Sequence, residues 1–300
     1  MREVIYYFSG TGNSLYIAKL LSSELNFSYR RVSKHLKDEQ SLELINQIVL
    51  VFPMYNHSYP LILKDFLITL SQRISLSQIH FSAVCTYGNG LGITLIQLDK
   101  LLQELGASLS LGYGIKMPYN YIEPIGFKIR GFLDSFIIRE HSDLEIKAAN
   151  ELAQCKVREI ARLISEKGFA EPEASSVFIE SLVVKLGLQN TVQKKVWAKV
   201  GGTYTTKEET FYDMVKHMDD GFSINEKCVK CGVCSSVCPV DNIIKGNDGK
   251  PEFKHDCEQC FACVAWCPAQ AIDFRNSTVE RRRYHNTEIS VSDMLMIDSD

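Results

Sequence analysis

Eight of the ten cysteines stand in two copies of one pattern, Cys228-x-x-Cys231-x-x-Cys234-x-x-x-Cys238-Pro239 and Cys257-x-x-Cys260-x-x-Cys263-x-x-x-Cys267-Pro268. Thiolates are soft ligands, and runs this tight select iron–sulfur clusters over hard cations. Structural zinc takes two well-separated cysteine pairs, and disulfide frameworks suit small secreted chains; the pattern fits neither. The chemistry on offer is single-electron transfer. Cys85 and Cys155 fall outside both runs and are expected to be ordinary buried cysteines.

A second group lies near the start. The apolar run Val4–Phe8 leads into Ser9-Gly10-Thr11-Gly12-Asn13-Ser14, and Leu15, Ala18, Leu21 and Leu25 follow near helical spacing. Strand, short Gly/Ser/Thr loop, helix is the geometry of a phosphate cradle, with backbone N–H groups, hydroxyls and the helix dipole all favouring an anion. The loop has no lysine and matches neither the nucleoside-triphosphate pattern nor the dinucleotide fingerprint. Two more buried-strand patterns follow. Ile48–Phe52 ends in Pro53-Met54-Tyr55-Asn56-His57-Ser58-Tyr59-Pro60, and Phe81–Cys85 ends in Thr86-Tyr87-Gly88-Asn89-Gly90-Leu91-Gly92. Open α/β sheets bind ligands beyond the carboxyl ends of their strands. Loops 9–14, 53–60 and 86–92 should therefore meet at one edge.

The elements that position these groups can be read more coarsely. Three hundred residues suggest two domains. Residues 143–167 read as one helix with Leu144, Ala148, Leu152, Cys155, Ile160, Leu163 and Ile164 as its apolar stripe, ended by Gly168 and Pro172. Residues 174–219 read as a helical connector with Val177, Phe178, Leu182, Val183 and Leu186 apolar and a break at Gly201-Gly202. The cysteine runs repeat with a period of 29 residues, Cys228 matching Cys257 and Ile243 matching Ile272. A duplicated loop–helix–strand unit with pseudo-twofold symmetry follows. It has little core of its own, so its stability should come mostly from metal. The tail carries Arg281-Arg282-Arg283-Tyr284-His285, a basic cluster that suits solvent or an acidic partner.

A net charge of −3 argues against a general nucleic-acid binder. No run of 18 apolar residues exists, so membrane insertion is not expected. The start reads as a strand and not as a signal peptide, and cytoplasmic location is the expectation.

On these residues, the front region resembles a flavodoxin. The resemblance implies that Ser9, Gly10, Thr11, Gly12, Asn13 and Ser14 bind the phosphate of FMN. It places Pro53, Met54, Tyr55 and Asn56 in the first ring-binding loop, and Thr86, Tyr87, Gly88, Asn89 and Gly92 in the second, with Tyr55 and Tyr87 as the ring-stacking aromatics. One departure is visible: Tyr55-Asn56-His57 lacks the glycine that flavodoxins commonly carry after the first aromatic. The cysteine runs resemble those of bacterial two-cluster ferredoxins, in which the fourth cysteine of each run crosses to the other cube. That implies one [4Fe-4S] cluster on Cys228, Cys231, Cys234 and Cys267, and a second on Cys257, Cys260, Cys263 and Cys238. The whole chain is thus similar to flavodoxin–ferredoxin fusion proteins. The implied architecture is α/β. A flavodoxin-like doubly wound five-stranded parallel sheet fills 1–168, a helical connector 169–222, a small α+β 2[4Fe-4S] domain 223–275, and a tail 276–300.

The implied role is electron transfer between two [4Fe-4S] clusters and FMN, converting one-electron to two-electron traffic with redox partner proteins. A flavin-dependent reductase of a small organic acceptor, such as a quinone, is the second reading; a proton donor such as His57 or Tyr59 would mark it. A redox sensor is the third.

Overall fold

The computed structural model describes residues 2–32, 42, 44–119, 140–175, 188–275, 278 and 282–295. The chain divides into two compact units. One comprises Met1–Pro118, Asp143–Ser181 and Asn286–Asp300, the other Tyr119–Ser142 and Leu182–His285.

The first unit is a parallel sheet of five strands: β1 (Arg2–Tyr7), β2 (Ser28–Arg31), β3 (Ile45–Pro53), β4 (His80–Tyr87) and β5 (Leu109–Lys116). Their spatial order is β2-β1-β3-β4-β5, the flavodoxin-like order of a doubly wound fold. Ile48, Val49, Leu50, Val51 and Phe52 are all fully buried, because helices cover both faces of a parallel sheet. Among the described residues, helices α1 (Asn13–Leu25), α2 (Leu61–Arg73), α3 (Thr94–Glu104) and α4 (Asp143–Ser165) connect the strands or flank them. The order reverses after β1, whose neighbours are β2 on one side and β3 on the other. The carboxyl ends of β1 and β3 therefore flank the switch point where such sheets hold ligands.

Helix α4 packs on α1 and β5, on a face that keeps Ile160 and Ile164 of the expected stripe but otherwise departs from it. Its buried residues are Ile146, Asn150, Ala153, Val157, Ile160, Ala161 and Ile164. Leu144 is 81% exposed and Leu152 72%, and Cys155, expected to be buried, is exposed. The ladder 146-150-153-157-160-164 keeps the i+3/i+4 spacing throughout. Asn150 hides it from a reading based on apolar residues. Cys85 is buried as expected. Residues Val177, Phe178, Leu182, Val183 and Leu186 of the expected connector lie outside the described residues, as does Arg281.

The second unit begins its described helical part with α5 (Val192–Gly201), which ends where Gly202 turns left-handed at φ 71°. Next comes α6 (Phe211–Lys216), started by a capping box between Thr210 and Asp213. The remainder is built twice. Strand β6 (Phe222–Ile224), helix α7 (Val233–Ser236) and strand β7 (Ile243–Lys245) recur 29 positions later as β8 (Pro251–Phe253), α8 (Ala262–Ala265) and β9 (Ile272–Phe274). β6 pairs antiparallel with β9, and β7 with β8. Each repeat even places the same three positions at positive φ: Lys230 with Gln259, Gly232 with Phe261, and Asp241 with Gln270.

The described connector residues belong to this unit and give it a core. Ala198, Phe211, Met214, Val215 and Met218 pack with Phe274, with Trp197, Tyr212, Phe222 and Phe261 against them. The basic segment is likewise absorbed in part. Arg283 Nη2 meets Asp273 Oδ1 at 2.8 Å with its side chain 7% exposed, Arg282 Nη1 donates to the His141 carbonyl, and His285 stacks on Trp266 with ring centroids 4.4 Å apart. Residues 286–295, expected as part of a tail, lie within the first unit.

Candidate cofactor sites

In the second unit the eight cysteines fall into two sets. Cys228, Cys231, Cys234 and Cys267 line one cavity together with Val229, Ile244 and Pro251. Cys238, Cys257, Cys260 and Cys263 line another, walled by Phe222, Phe253 and Phe261. In each set the fourth thiol of one run joins the first three of the other. Backbone amides donate to the sulfurs: Asn242 N–H to Cys238 Sγ at 3.3 Å, Ala271 N–H to Cys267 Sγ at 3.2 Å, and Gln259 N–H to Cys257 Sγ at 3.2 Å. The first two are 29-residue repeats of each other. N–H groups aimed at sulfur stabilise thiolate charge and tune the potential of a bound cluster. Burial pushes the Cys234 thiol up to about 11 and the Cys263 thiol well above its ordinary value. Such thiols ionise when a cation joins them, so metal uptake releases protons. Four convergent sulfurs with amide donors and apolar walls fit a [4Fe-4S] cube in each cavity.

Asp219 fastens the second cavity. It is 2% exposed and accepts from Asn242 Nδ2 at 2.8 Å and from the His255 backbone at 2.9 Å, while its Oδ1 lies 2.8 Å from His255 Nδ1. The hydrogen bond to Asp219 holds the His255 imidazole above its ordinary range.

In the first unit, bonds across the loops draw the carboxyl ends of the strands together. The Ser14 and Thr86 hydroxyls lie 2.8 Å apart and are buried. The Met54 N–H donates to the Thr86 carbonyl at 2.9 Å, and Asn13 Nδ2 donates to the Pro118 carbonyl at 2.6 Å. Within the first loop, the Gly12 N–H donates to Ser9 Oγ at 3.1 Å. Gly12 stands at φ 89°, where a side chain would cost about 1–2 kcal/mol. It precedes α1, whose N-terminus has no side-chain cap and no acidic residue in its first turn. No carboxylate on that turn competes with an incoming anion, so the helix end favours a phosphate. An uncapped helix end behind a Gly/Ser/Thr loop fits an anion such as the phosphate of FMN.

The first ring loop is a two-residue hairpin. Tyr55 and Ser58 exchange two backbone bonds of 2.9 Å, with Asn56 at φ 49° and His57 at φ 64°, as in a type I′ turn. The position that lacks glycine thus already occupies the left-handed region, which asparagine tolerates well. The half-buried Tyr55 ring meets Phe8 edge-on at 5.9 Å. The Tyr87 ring lies over Gly114: a Cβ added there would sit 2.8 Å from Tyr87 Cε1. Burial, then Glu173, raises the Tyr87 phenol. Asn89 is exposed and Gly88 half-buried. Gly92 faces inward. Its N–H donates to Ser175 Oγ at 2.9 Å and its carbonyl accepts from the Ser175 N–H at 3.1 Å, so it braces the loop and offers neither group to a flavin. Ser175 escaped the sequence reading because it follows α4, far from any motif. So did Glu173, which accepts from the Gly114 N–H at 2.8 Å and from Lys156 Nζ at 3.2 Å.

The family model of the 4Fe-4S dicluster domain matches residues 222–268. The chain joins a flavodoxin-like α/β unit to a ferredoxin-type iron–sulfur domain. Over 49 residues it is 41% identical to the pyruvate synthase subunit PorD of Methanocaldococcus jannaschii, covering 16% of this chain and 57% of that one. Over 54 residues it is 39% identical to PorD of Thermotoga maritima, covering 18% and 54%. The chain spans little more than half the length of these curated relatives. Among solved structures it is similar to oxidised Flavodoxin 2 from Bacillus cereus, at 18% identity over 56% of this chain and 99% of that one, with a TM-score of 0.39. The flavodoxin-like description rests on strand order. Among the described residues no helix is long and apolar enough to cross a membrane.

Proposed function

We propose that this protein transfers electrons between two [4Fe-4S] clusters and FMN, working as a converter between one-electron and two-electron traffic for redox partner proteins. The observation that carries the reading is the sorting of eight cysteines into two crossed quartets, each on its own cavity, in the same chain as an anion-ready loop at a sheet switch point. The clusters supply single-electron steps and FMN supplies steps of one or two electrons. Cys228, Cys231, Cys234 and Cys267 hold one cluster, and Cys238, Cys257, Cys260 and Cys263 the other. Residues Ser9 to Ser14 hold the FMN phosphate. The 53–56 and 86–89 loops flank its ring. The covalent link between the units keeps donor and acceptor at high effective concentration. The names of the curated relatives, subunits of pyruvate synthase, support an electron-relay role for the second unit.

The test is anaerobic purification with iron, sulfide and released flavin measured per chain. The reading expects about eight irons and one FMN. About four irons would remove the two-cluster assignment. About eight irons with no flavin, even after FMN is added, would remove the converter.

A further inference from the structure

The segment after the cysteine repeats returns to the first unit and ends beside the phosphate loop. Asn286 is fully buried there. Its backbone N–H donates to the Thr11 carbonyl at 2.8 Å. Its Nδ2 donates to Asn13 Oδ1 at 3.0 Å, 273 positions away in sequence, and lies 3.2 Å from Asn150 Oδ1 on α4. Its Oδ1 accepts from the Glu288 N–H at 2.9 Å. The bond to Asn13 fixes that amide so that its own Nδ2 reaches the Pro118 carbonyl. A few residues on, Ser290 and Asp293 cap the short helix Val291–Leu295, and Asp293 Oδ1 meets Lys19 Nζ of α1 at 2.6 Å. The strap is therefore fixed at both ends to the loop–helix element that begins the phosphate site.

We propose that Asn286 is a positioning residue for the phosphate loop, holding Thr11 and Asn13 in the conformation that receives the phosphate of FMN. The inference rests on the FMN reading above. Asn286 uses both faces of its amide inside a buried site, so no water replaces its bonds when it is lost. Thr11 is held through its carbonyl by the Asn286 backbone N–H, which the side-chain bonds to Asn13, Asn150 and Glu288 keep in place; without them that peptide and the direction of the neighbouring N–H groups slacken. Loops hold anions by oriented N–H groups, so slackness here acts on the phosphate and spares the ring.

The test uses the full chain with clusters in place and its Asn286→Ala and Asn286→Asp variants. Asn286→Asp keeps the shape, removes the Nδ2 donor and sets a carboxylate near the loop. FMN and riboflavin, which lacks the phosphate, are titrated by fluorescence quenching. Both variants should bind FMN about tenfold more weakly, a loss of about 1.4 kcal/mol, with riboflavin affinity changed less than about twofold. Equal weakening of both ligands, or of neither, overturns the proposal. Hydrogen exchange at the amides of Gly10 to Asn13 reads the brace without flavin and should speed up about tenfold in both variants. If the parent binds no FMN yet exchange accelerates as expected, the FMN reading fails and the brace stands. Unchanged exchange removes the brace whatever the flavin does.

Discussion

Gly114→Ala probes how the second ring loop is held. Gly114 lies on β5, opposite Cys85 of β4. A Cβ there would come within 2.7 Å of Leu91 Cδ2 and 2.8 Å of Tyr87 Cε1, with Leu91 Cδ1 at 3.2 Å. Real Cβ atoms do not approach this closely, so something shifts. Leu91 is 3% exposed and walled in, whereas Tyr87 is half-buried at the strand end and yields by swinging outward. Overpacking of this kind costs about 1–3 kcal/mol. For units of about 150–250 residues, that lowers the thermal midpoint by about 2–12 °C at 2–4 °C per kcal/mol. Circular dichroism melts measure it. A second readout follows the ring. Burial is the chief cause of the raised Tyr87 phenol, so an outward swing brings its titration back toward pH 10, seen as a difference spectrum of phenolate between variant and parent. Tyr87→Ala should remove the Tyr87 part of the clash and leave the Leu91 part, so the double mutant should be more stable than additivity allows by at least about 0.5 kcal/mol. An unchanged midpoint together with strict additivity would refute the packing argument.

Other expectations follow from the cysteine sets, the packing of the second unit and the strap. Cys267→Ser and Cys231→Ser should perturb the same cluster signal in electron paramagnetic resonance, and Cys238→Ser and Cys260→Ser the other; a Cys267 variant that alters the signal lost in Cys260→Ser would sink the crossed assignment. Gly221→Ala puts a Cβ 2.5 Å from Phe274 Cε2 and 2.7 Å from the Gly201 carbonyl oxygen, where backbone gives little. It should cost more than Gly232→Ala, which meets nothing within 4 Å and loses only the about 1–2 kcal/mol of a left-handed site; chemical denaturation of the two variants compares them. Asp293 titrates at about 2: burial raises it, but bonds from Lys19 and from the Ser290 hydroxyl and backbone prevail and lower it. Its contribution is therefore complete above the unfolded value near 4 and is lost as pH falls from about 4 to about 2. Asp293→Asn should melt below the parent at pH 7, and the gap should close across that acid window.

The two cysteine runs were legible because ligand spacing is a local property of the chain, and the 29-residue period predicted even the strands at Ile243 and Ile272. Three of the five strands and their loops were visible as apolar runs. What stayed hidden depends on contacts far apart in sequence. Asn150 breaks an apolar stripe because Asn286 partners it, so its face of α4 could not be found from hydropathy. The capping box at Thr210 and the aromatic cluster around Phe274 give the cluster-bearing unit a core that its cysteine repeats alone do not supply. Gly92 looked like a ligand-loop glycine, yet Ser175 takes both its backbone groups.

The strap has a consequence for the order of synthesis. The ribosome finishes all eight ligand cysteines before it reaches Asn286. The 111 positions separating Ser175 from Asn286 occupy about 6–22 s at about 5–20 residues per second. Throughout that interval the sheet and α1 can form while the first loop still lacks its last tether. If the proposed function holds, metal loading can therefore begin on the nascent chain before flavin is retained, and a translation product that stops just short of Asn286, with β9 complete, would carry iron but hold flavin poorly.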